Sequence, residues 1–264
     1  MSVLLLIRHG QASFEGADYD VLSPLGERQA ELLGRYLAHP ARRPDVVYCG
    51  PRRRQRDTAR ILCEALGAEL REGASPAVQE PLVALDEYPV EAVIRRSLPV
   101  LVAEHPEVAA WFAPQGGLLD PLRDRRAFEH IFRLAMRRWV GGALVSDELS
   151  DRGAEAALAP ESFAAFAGRV RGALGTIMAQ EGARRRVAVV TSAGPVAVGA
   201  QLALALPGAA GSLVGAPSDE VALHLSWVVQ NASLTELRYR AGEVGLISFN
   251  TAPHLPQPEL ISYR

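Results

Sequence analysis

The apolar run Leu4-Leu5-Leu6-Ile7, released directly into Arg8-His9-Gly10, constrains this chain more than any other stretch. A run this short suits a strand buried on both faces, the kind found in parallel sheets covered by helices. In an open α/β sheet, ligands bind at the carboxyl ends of the strands. The run therefore puts a guanidinium, an imidazole and an unhindered backbone at a binding edge. Histidine can be a covalent nucleophile, and guanidinium offers a planar fork matched to a phosphoryl group. The plainer reading of the same tripeptide is a histidine that merely caps a strand.

The residues that follow set the topology. After a loop from Gln11 to Leu22, Ser23 and Pro24 form a helix start, with serine as N-cap and proline in the first turn. Leu25, Leu32, Leu33, Tyr36 and Leu37 recur at helical spacing, and His39-Pro40 ends the segment. A second strand, Asp45 to Cys49, passes through Gly50-Pro51 into the arginine-rich helix start Arg52-Arg53-Arg54-Gln55-Arg56. Strand, helix, strand, helix implies a parallel sheet with right-handed crossovers.

Three ordered motifs now stand within about sixty residues: Arg8-His9-Gly10, then Leu22-Ser23-Pro24-Leu25-Gly26-Glu27-Arg28-Gln29-Ala30, then Arg54 four residues before Thr58-Ala59. Together they resemble the histidine phosphatase superfamily, the phosphoglycerate-mutase-like group, over most of the chain and least between Pro99 and Pro160. The resemblance implies a three-layer α/β/α fold with a mainly parallel sheet. It implies His9 as the residue that takes the phosphoryl group, and Arg8 and Arg54 as phosphate ligands. It also implies that the chemistry needs no metal or cofactor.

Composition agrees with an enzyme of this kind. With 264 residues, 48% hydrophobic and 22% charged, the chain can bury a large core as a single domain carrying an insertion. A net charge of −2 argues against a general nucleic-acid binder despite the local arginines. Cys49 and Cys63 fall in a strand and a helix, without metal-ligand spacing, and reduced thiols are expected. Met1-Ser2 runs straight into the first strand, and no apolar stretch has membrane-spanning length. A cytoplasmic protein is expected, with no membrane partner.

Leu82 to Tyr88 resembles the family loop that brings an acid to the site, and Glu87 fits that position better than Asp86. A general acid must hold a proton near neutral pH to lend it to a leaving oxygen. From about Glu104 to Pro160 the core pattern stops. There Phe128, Ile131, Phe132, Ala135 and Trp139 keep helical spacing among Arg123, Arg125, Arg126, Arg133, Arg137 and Arg138. This predicts a helical cap insertion, with most of its arginines on a solvated face. The core resumes after Pro160, where Phe163, Phe166, Val170, Leu174 and Ile177 define one helix face.

The departure from the family comes at the strand Val187 to Thr191. Its exit reads Ser192-Ala193-Gly194-Pro195 and leads into a helix near Val196, whereas the family carries its second phosphate-clamping histidine where Ser192 stands. Losing one charged donor costs on the order of 3 kcal/mol, roughly a hundredfold in rate. The Ser192 hydroxyl and the backbone N–H groups from Ala193 onward, at a helix N-terminus, can replace part of it. Near the end, Asn250 to Leu255 resembles a tail of several phosphatase relatives, and makes His254 a minor site candidate after the strands Leu234 to Tyr239 and Val244 to Phe249. The expected activity is hydrolysis of a small phosphorylated metabolite through a phosphohistidine on His9, with inorganic phosphate or sulfate binding in the same place. The alternatives are a weakened phosphate-ester binder and a mutase-like phosphotransferase.

Overall fold

The structure is a computed structural model describing residues 1–13, 20–69, 75–113, 117, 120–122, 124–146, 160–207, 213–215, 217–240 and 243–263. Part of the Gln11 to Leu22 loop (14–19), the end of the expected insertion (147–159) and Arg123 lie outside the described residues. The chain forms two compact units, Met1–Glu87 with Ala167–Arg264, and Tyr88–Phe166.

In the first unit, β1 (Ser2–Arg8), α1 (Pro24–Leu37), β2 (Val46–Cys49) and α2 (Arg53–Glu69) follow the order read from the sequence. Ser23 caps α1 as its pattern requires, its side chain accepting from the Gly26 N–H at 3.1 Å. Later come β3 (Arg186–Thr191), α8 (Ala193–Leu204), the short strands β4 (Leu206–Pro207) and β5 (Leu213–Val214), α9 (Asp219–Val228), β6 (Leu234–Arg240) and β7 (Glu243–Thr251). The five-stranded sheet runs β2-β3-β1-β6-β7. β2, β3 and β1 are parallel, whereas β6 and β7 join antiparallel at one side. The sheet is thus parallel through its centre, and the closing hairpin accounts for the antiparallel part.

Alternation along β1 explains the layers. Leu5 and Ile7 pack with Leu33 and Leu37 of α1 and with Leu62 and Leu66 of α2. Leu4 and Leu6 are also fully buried and point to the opposite face. α8 packs against β1, β6 and β7. The helix α7 (Phe163–Glu181) is tied to α8 by Arg171, which donates to Gln201 Oε1 at 3.0 Å. Each fully buried leucine contributes roughly 2–3 kcal/mol of transfer energy, so the sheet edge that carries Arg8-His9-Gly10 stands on a firm base. Cys49 and Cys63 are buried in this core as free thiols, and burial pushes the Cys63 thiol up to about 12.

The second unit contains α3 (Val90–Glu104), α4 (Pro106–Trp111), α5 (Arg125–Val140) and α6 (Ala143–Ser146). Asp124 caps α5 by accepting from the Ala127 N–H at 2.8 Å. Trp139 packs with Tyr88, Phe163 and Phe166, and its indole N–H donates to Glu161 O at 2.7 Å. Arg125, Arg126, Arg133 and Arg137 are exposed, the solvated face expected of most arginines in this stretch.

Among the described residues, no helix is long and apolar enough to cross a membrane.

Candidate active site

Register alone sets two residues side by side at the carboxyl edge of the sheet. Arg8 pairs with Thr191 across the parallel ladder, and the His9 N–H donates to Thr191 O at 2.9 Å. His9 and Ser192 are the residues leaving those two strands.

The three N-terminal motifs converge on the turn after β1. A side chain at Gly10 would put its Cβ 2.4 Å from Gly26 O, so the two glycines let the strand exit pass against the first turn of α1. The Gly10 N–H donates to Thr58 Oγ1 at 3.0 Å, and that hydroxyl donates to Arg54 O at 2.7 Å. Buried Gln29 accepts from the Gln11 N–H at 2.9 Å. Behind the turn, Asn231 Nδ2 and the Ala232 N–H each donate to His9 O at 3.2 Å. Ala232 is buried with φ 57°, a left-handed conformation that a non-glycine residue holds only where its surroundings impose it.

This frame fixes the state of His9. Its Nδ1 lies 2.6 Å from Gly10 O, and its Nε2 receives Arg54 Nε–H at 3.1 Å. A guanidinium can only donate, so Nε2 is the unprotonated nitrogen and Nδ1 carries the proton toward the carbonyl. Burial, then the charges of Arg54 and Arg8, hold the imidazole well below its ordinary value of 6.5. His9 is therefore neutral near pH 7, with a lone pair on Nε2.

Arg54 is almost wholly buried in the first turn of α2 and donates through Nη1 to Asp20 Oδ1 at 3.0 Å. The other Asp20 oxygen accepts the Arg53 N–H at 2.8 Å, so this carboxylate occupies the N-terminus of α2. Arg8 extends from β1 and donates through Nη1 to the carbonyls of Val229 and of Tyr263, the latter at 2.7 Å.

The second half of the site gathers at the exit of β3. α8 begins at Ala193, three residues earlier than the sequence pattern suggested, with Ser192 as its N-cap. Glu87 Oε2 accepts the Gly194 N–H at 3.2 Å, which brings the expected acid to the Ser192-Ala193-Gly194 turn. Its loop is fixed from behind. Arg169 donates to Ala84 O at 3.0 Å and Asp86 O at 2.9 Å, and Thr191 Oγ1 donates to Leu85 O at 2.7 Å. Arg52 Nε donates to Asp86 Oδ1 at 2.6 Å, and the same oxygen accepts the Glu87 N–H at 2.7 Å. Ser192 Oγ accepts from Gln55 Nε2 at 2.8 Å.

The structure thus joins His9 to Arg54, Ser192 to Gln55, and Glu87 to the Gly194 N–H of the turn that follows Ser192. His254 is buried against the Tyr36 ring, 5.9 Å between centroids, where desolvation lowers it to about 4 and keeps it neutral. Asp20, Gln55, Asn231 and Arg169 were not singled out from the sequence. Gln55 had a visible signal, an amide set among Arg52, Arg53, Arg54 and Arg56 at a helix start.

Comparison with known proteins places the fold. Residues 4–80 match the histidine phosphatase superfamily (branch 1). A 2,3-bisphosphoglycerate-dependent phosphoglycerate mutase of Thermobifida fusca (strain YX) is 43% identical over 74 residues, 25% of this chain and 30% of that protein. The chain therefore spans about a third of the length of that curated relative. Among solved structures, a phosphoglycerate mutase from Bacillus anthracis str. Sterne superposes with a TM-score of 0.57 at 16% identity, covering 96% of this chain and 95% of that one. A mycobacterial glucosyl-3-phosphoglycerate phosphatase, in complex with inorganic phosphate, gives 0.55 at 22% identity, covering 96% and 98%. The fold is thus phosphoglycerate-mutase-like along nearly the whole chain, and the N-terminal segment carries the histidine phosphatase superfamily pattern.

Proposed function

We propose that this protein is a cytoplasmic phosphatase that hydrolyses a small phosphomonoester through a phosphohistidine on His9, within a single histidine-phosphatase-like domain carrying a helical insertion at about 104–160. The observation that carries the reading is the tautomer of His9, with Nδ1 directed at Gly10 O, 2.6 Å away, and Nε2 left as a lone pair beside a buried arginine. Nε2 attacks phosphorus in line, the N–P bond forms and the ester P–O bond breaks. Glu87 gives its proton to the departing oxygen. As the carboxylate, it then takes a proton from the attacking water, the P–N bond breaks, and its electron pair returns to Nε2 as inorganic phosphate leaves. Arg54, Ser192 and the Ala193 N–H hold the equatorial oxygens, and Arg8 adds positive potential at His9. Arg54 leaves Nε2 for a phosphoryl oxygen when substrate binds.

A second reading, a phosphate-ester binder without turnover, draws on Ser192, which offers a neutral donor where the family has an imidazole. One experiment separates them. The protein is rapidly quenched with phosphorus-labelled sugar phosphates, glycerate phosphates, nucleotides and phosphopeptides. An acid-labile, alkali-stable label is expected on wild type and absent from His9→Ala, with phosphate release lowered at least about a thousandfold, as loss of a nucleophile does elsewhere. Turnover that never produces this label would overturn covalent catalysis. Binding without either label or release would support the binder.

A further inference from the structure

We infer that Gln55 is the positioning residue that turns Ser192 into a directed hydrogen-bond donor for the bound phosphoryl group, an inference that rests on the phosphate-site reading above. The argument begins with the amide's orientation. The Arg52 N–H lies 3.0 Å from Gln55 Oε1, and a backbone N–H can only donate, so that atom is the carbonyl oxygen and the amide nitrogen faces Ser192. Gly50 makes room for this, since a Cβ there would lie 2.3 Å from Oε1. Gln55 is wholly buried and cannot trade either bond for water.

The consequence falls on the serine. Ser192 is 1% exposed, and its Oγ accepts Gln55 Nε2–H at 2.8 Å. A hydroxyl has one proton and two lone pairs, and the amide N–H can take only a lone pair. The Ser192 proton therefore has to go elsewhere, and among the described residues no acceptor takes it. Serine at an N-cap usually accepts an N–H from its own helix, yet here the side chain makes no cap bond. His9 leaves the adjoining strand end, and Arg54, which donates to His9, is the residue before Gln55. A hydroxyl with its lone pair already engaged, at the edge where the phosphoryl group is read to sit, presents its proton to an anion's oxygen. Consecutive residues of α2 thus serve the two strand ends, Arg54 toward His9 and Gln55 toward Ser192.

The test is sulfate binding by calorimetry to the full chain, in wild type, Gln55→Leu, Gln55→Glu, Ser192→Ala and the double variant Gln55→Leu/Ser192→Ala, with circular dichroism to check folding. Losing a donor to a charged group costs roughly tenfold or more in affinity, and that loss is expected for Ser192→Ala. Gln55→Leu is expected to lower affinity severalfold in the wild-type background and to change nothing further in Ser192→Ala. Gln55→Glu is expected to be worst near neutral pH, because the new carboxylate takes the hydroxyl proton for itself. Its affinity relative to wild type should climb as the pH falls and the introduced carboxyl, once protonated, donates to Oγ as the amide does. A residue that only braced the Arg52 turn would show neither the coupling nor this recovery. Equal losses from Gln55→Leu in both backgrounds would overturn the inference while leaving the phosphate site intact. Wild type that binds no sulfate would instead overturn the phosphate-site reading, and this inference with it.

Discussion

The exits of β1 and β3 lie side by side at one edge of the sheet and solve the same problem differently. At the first, His9 is set against Arg54, with the charge of Arg8 adding to the potential, so charged groups dominate. At the second, a serine, an amide and the first N–H groups of α8 provide neutral donors, and Glu87 brings the only carboxylate seen to accept from that turn among the described residues. The difference teaches that two neighbouring strand ends can be furnished with charged groups at one and neutral hydrogen-bonding groups at the other. At the second exit a buried glutamine and a buried serine stand as a bonded pair. Under the proposed function the labour divides accordingly, with charge recruiting the anion at one exit and directed neutral donors orienting it at the other.

The sharpest way to break this comparison is to remove charge from the first exit. Arg54→Ala is expected to weaken sulfate or phosphate binding by about a hundredfold or more, the range seen when one well-aimed anion donor is lost. Arg52→Ala is the control, because Arg52 is bonded to Asp86 and supports the Glu87 loop instead of reaching His9. Its anion affinity should stay within a few-fold of wild type, while kcat falls most for substrates with poor leaving groups, which depend on the acid. Calorimetry and kcat on a leaving-group series read the two effects separately. Equal losses of anion affinity would mean that the exits do not divide charge and acid as described.

How far this was legible follows from which contacts are local. The order of elements and the N-cap at Ser23 could be read because strand and helix periodicities and capping chemistry are properties of neighbouring residues. His9 and Arg54 are legible because their motifs are dense, and the structure gives the reason for that density. Gly10, Gly26, Thr58 and Arg54 touch within a few ångströms, so each restricts the others. Gln55 is hidden in the sequence because its role depends on Ser192, 137 residues away, and because the amide sits among four arginines. Asp20 stayed hidden for a similar reason, since a loop acid acquires meaning only when it lands on the start of α2. The antiparallel hairpin β6–β7 was legible as two strands, but its direction relative to β1 is a long-range choice that local pattern does not encode.

Placing an imidazole at position 192 asks whether the second exit works through charge or through neutral donors. Ser192→His places a larger ring where Oγ is already 2.8 Å from Gln55 Nε2, in a fully buried setting. Overpacking of this kind forces side chains off their rotamers. The expected outcome is a fall in anion affinity of roughly tenfold, the equivalent of about 1.4 kcal/mol. Adding Gln55→Ala in the same chain makes room for the ring and should recover part of it. A large gain from Ser192→His alone, with folding unchanged by circular dichroism, would show that the second exit had been waiting for a charge.

The smallest expected effect probes the carboxylate on the charged exit. Asp20 accepts from the Arg53 N–H and from Arg54 Nη1, donors of the kind that would otherwise meet a phosphate, so it competes with ligand for them. Its side chain is 31% exposed, which screens the pair and limits what its removal can release. Asn is nearly isosteric and caps helices as well as Asp does, so Asp20→Asn keeps α2 capped while removing the negative charge. Sulfate affinity is expected to rise about two- to fivefold. The gain should shrink as added chloride screens the site, because the substitution removes a charge. The amide that caps the Arg53 N–H also has no second oxygen to accept from Arg54 Nη1. If affinity falls instead, Asp20 is holding Arg54 in its binding pose, and the charged exit is ordered by its own carboxylate much as the neutral exit is ordered by Gln55.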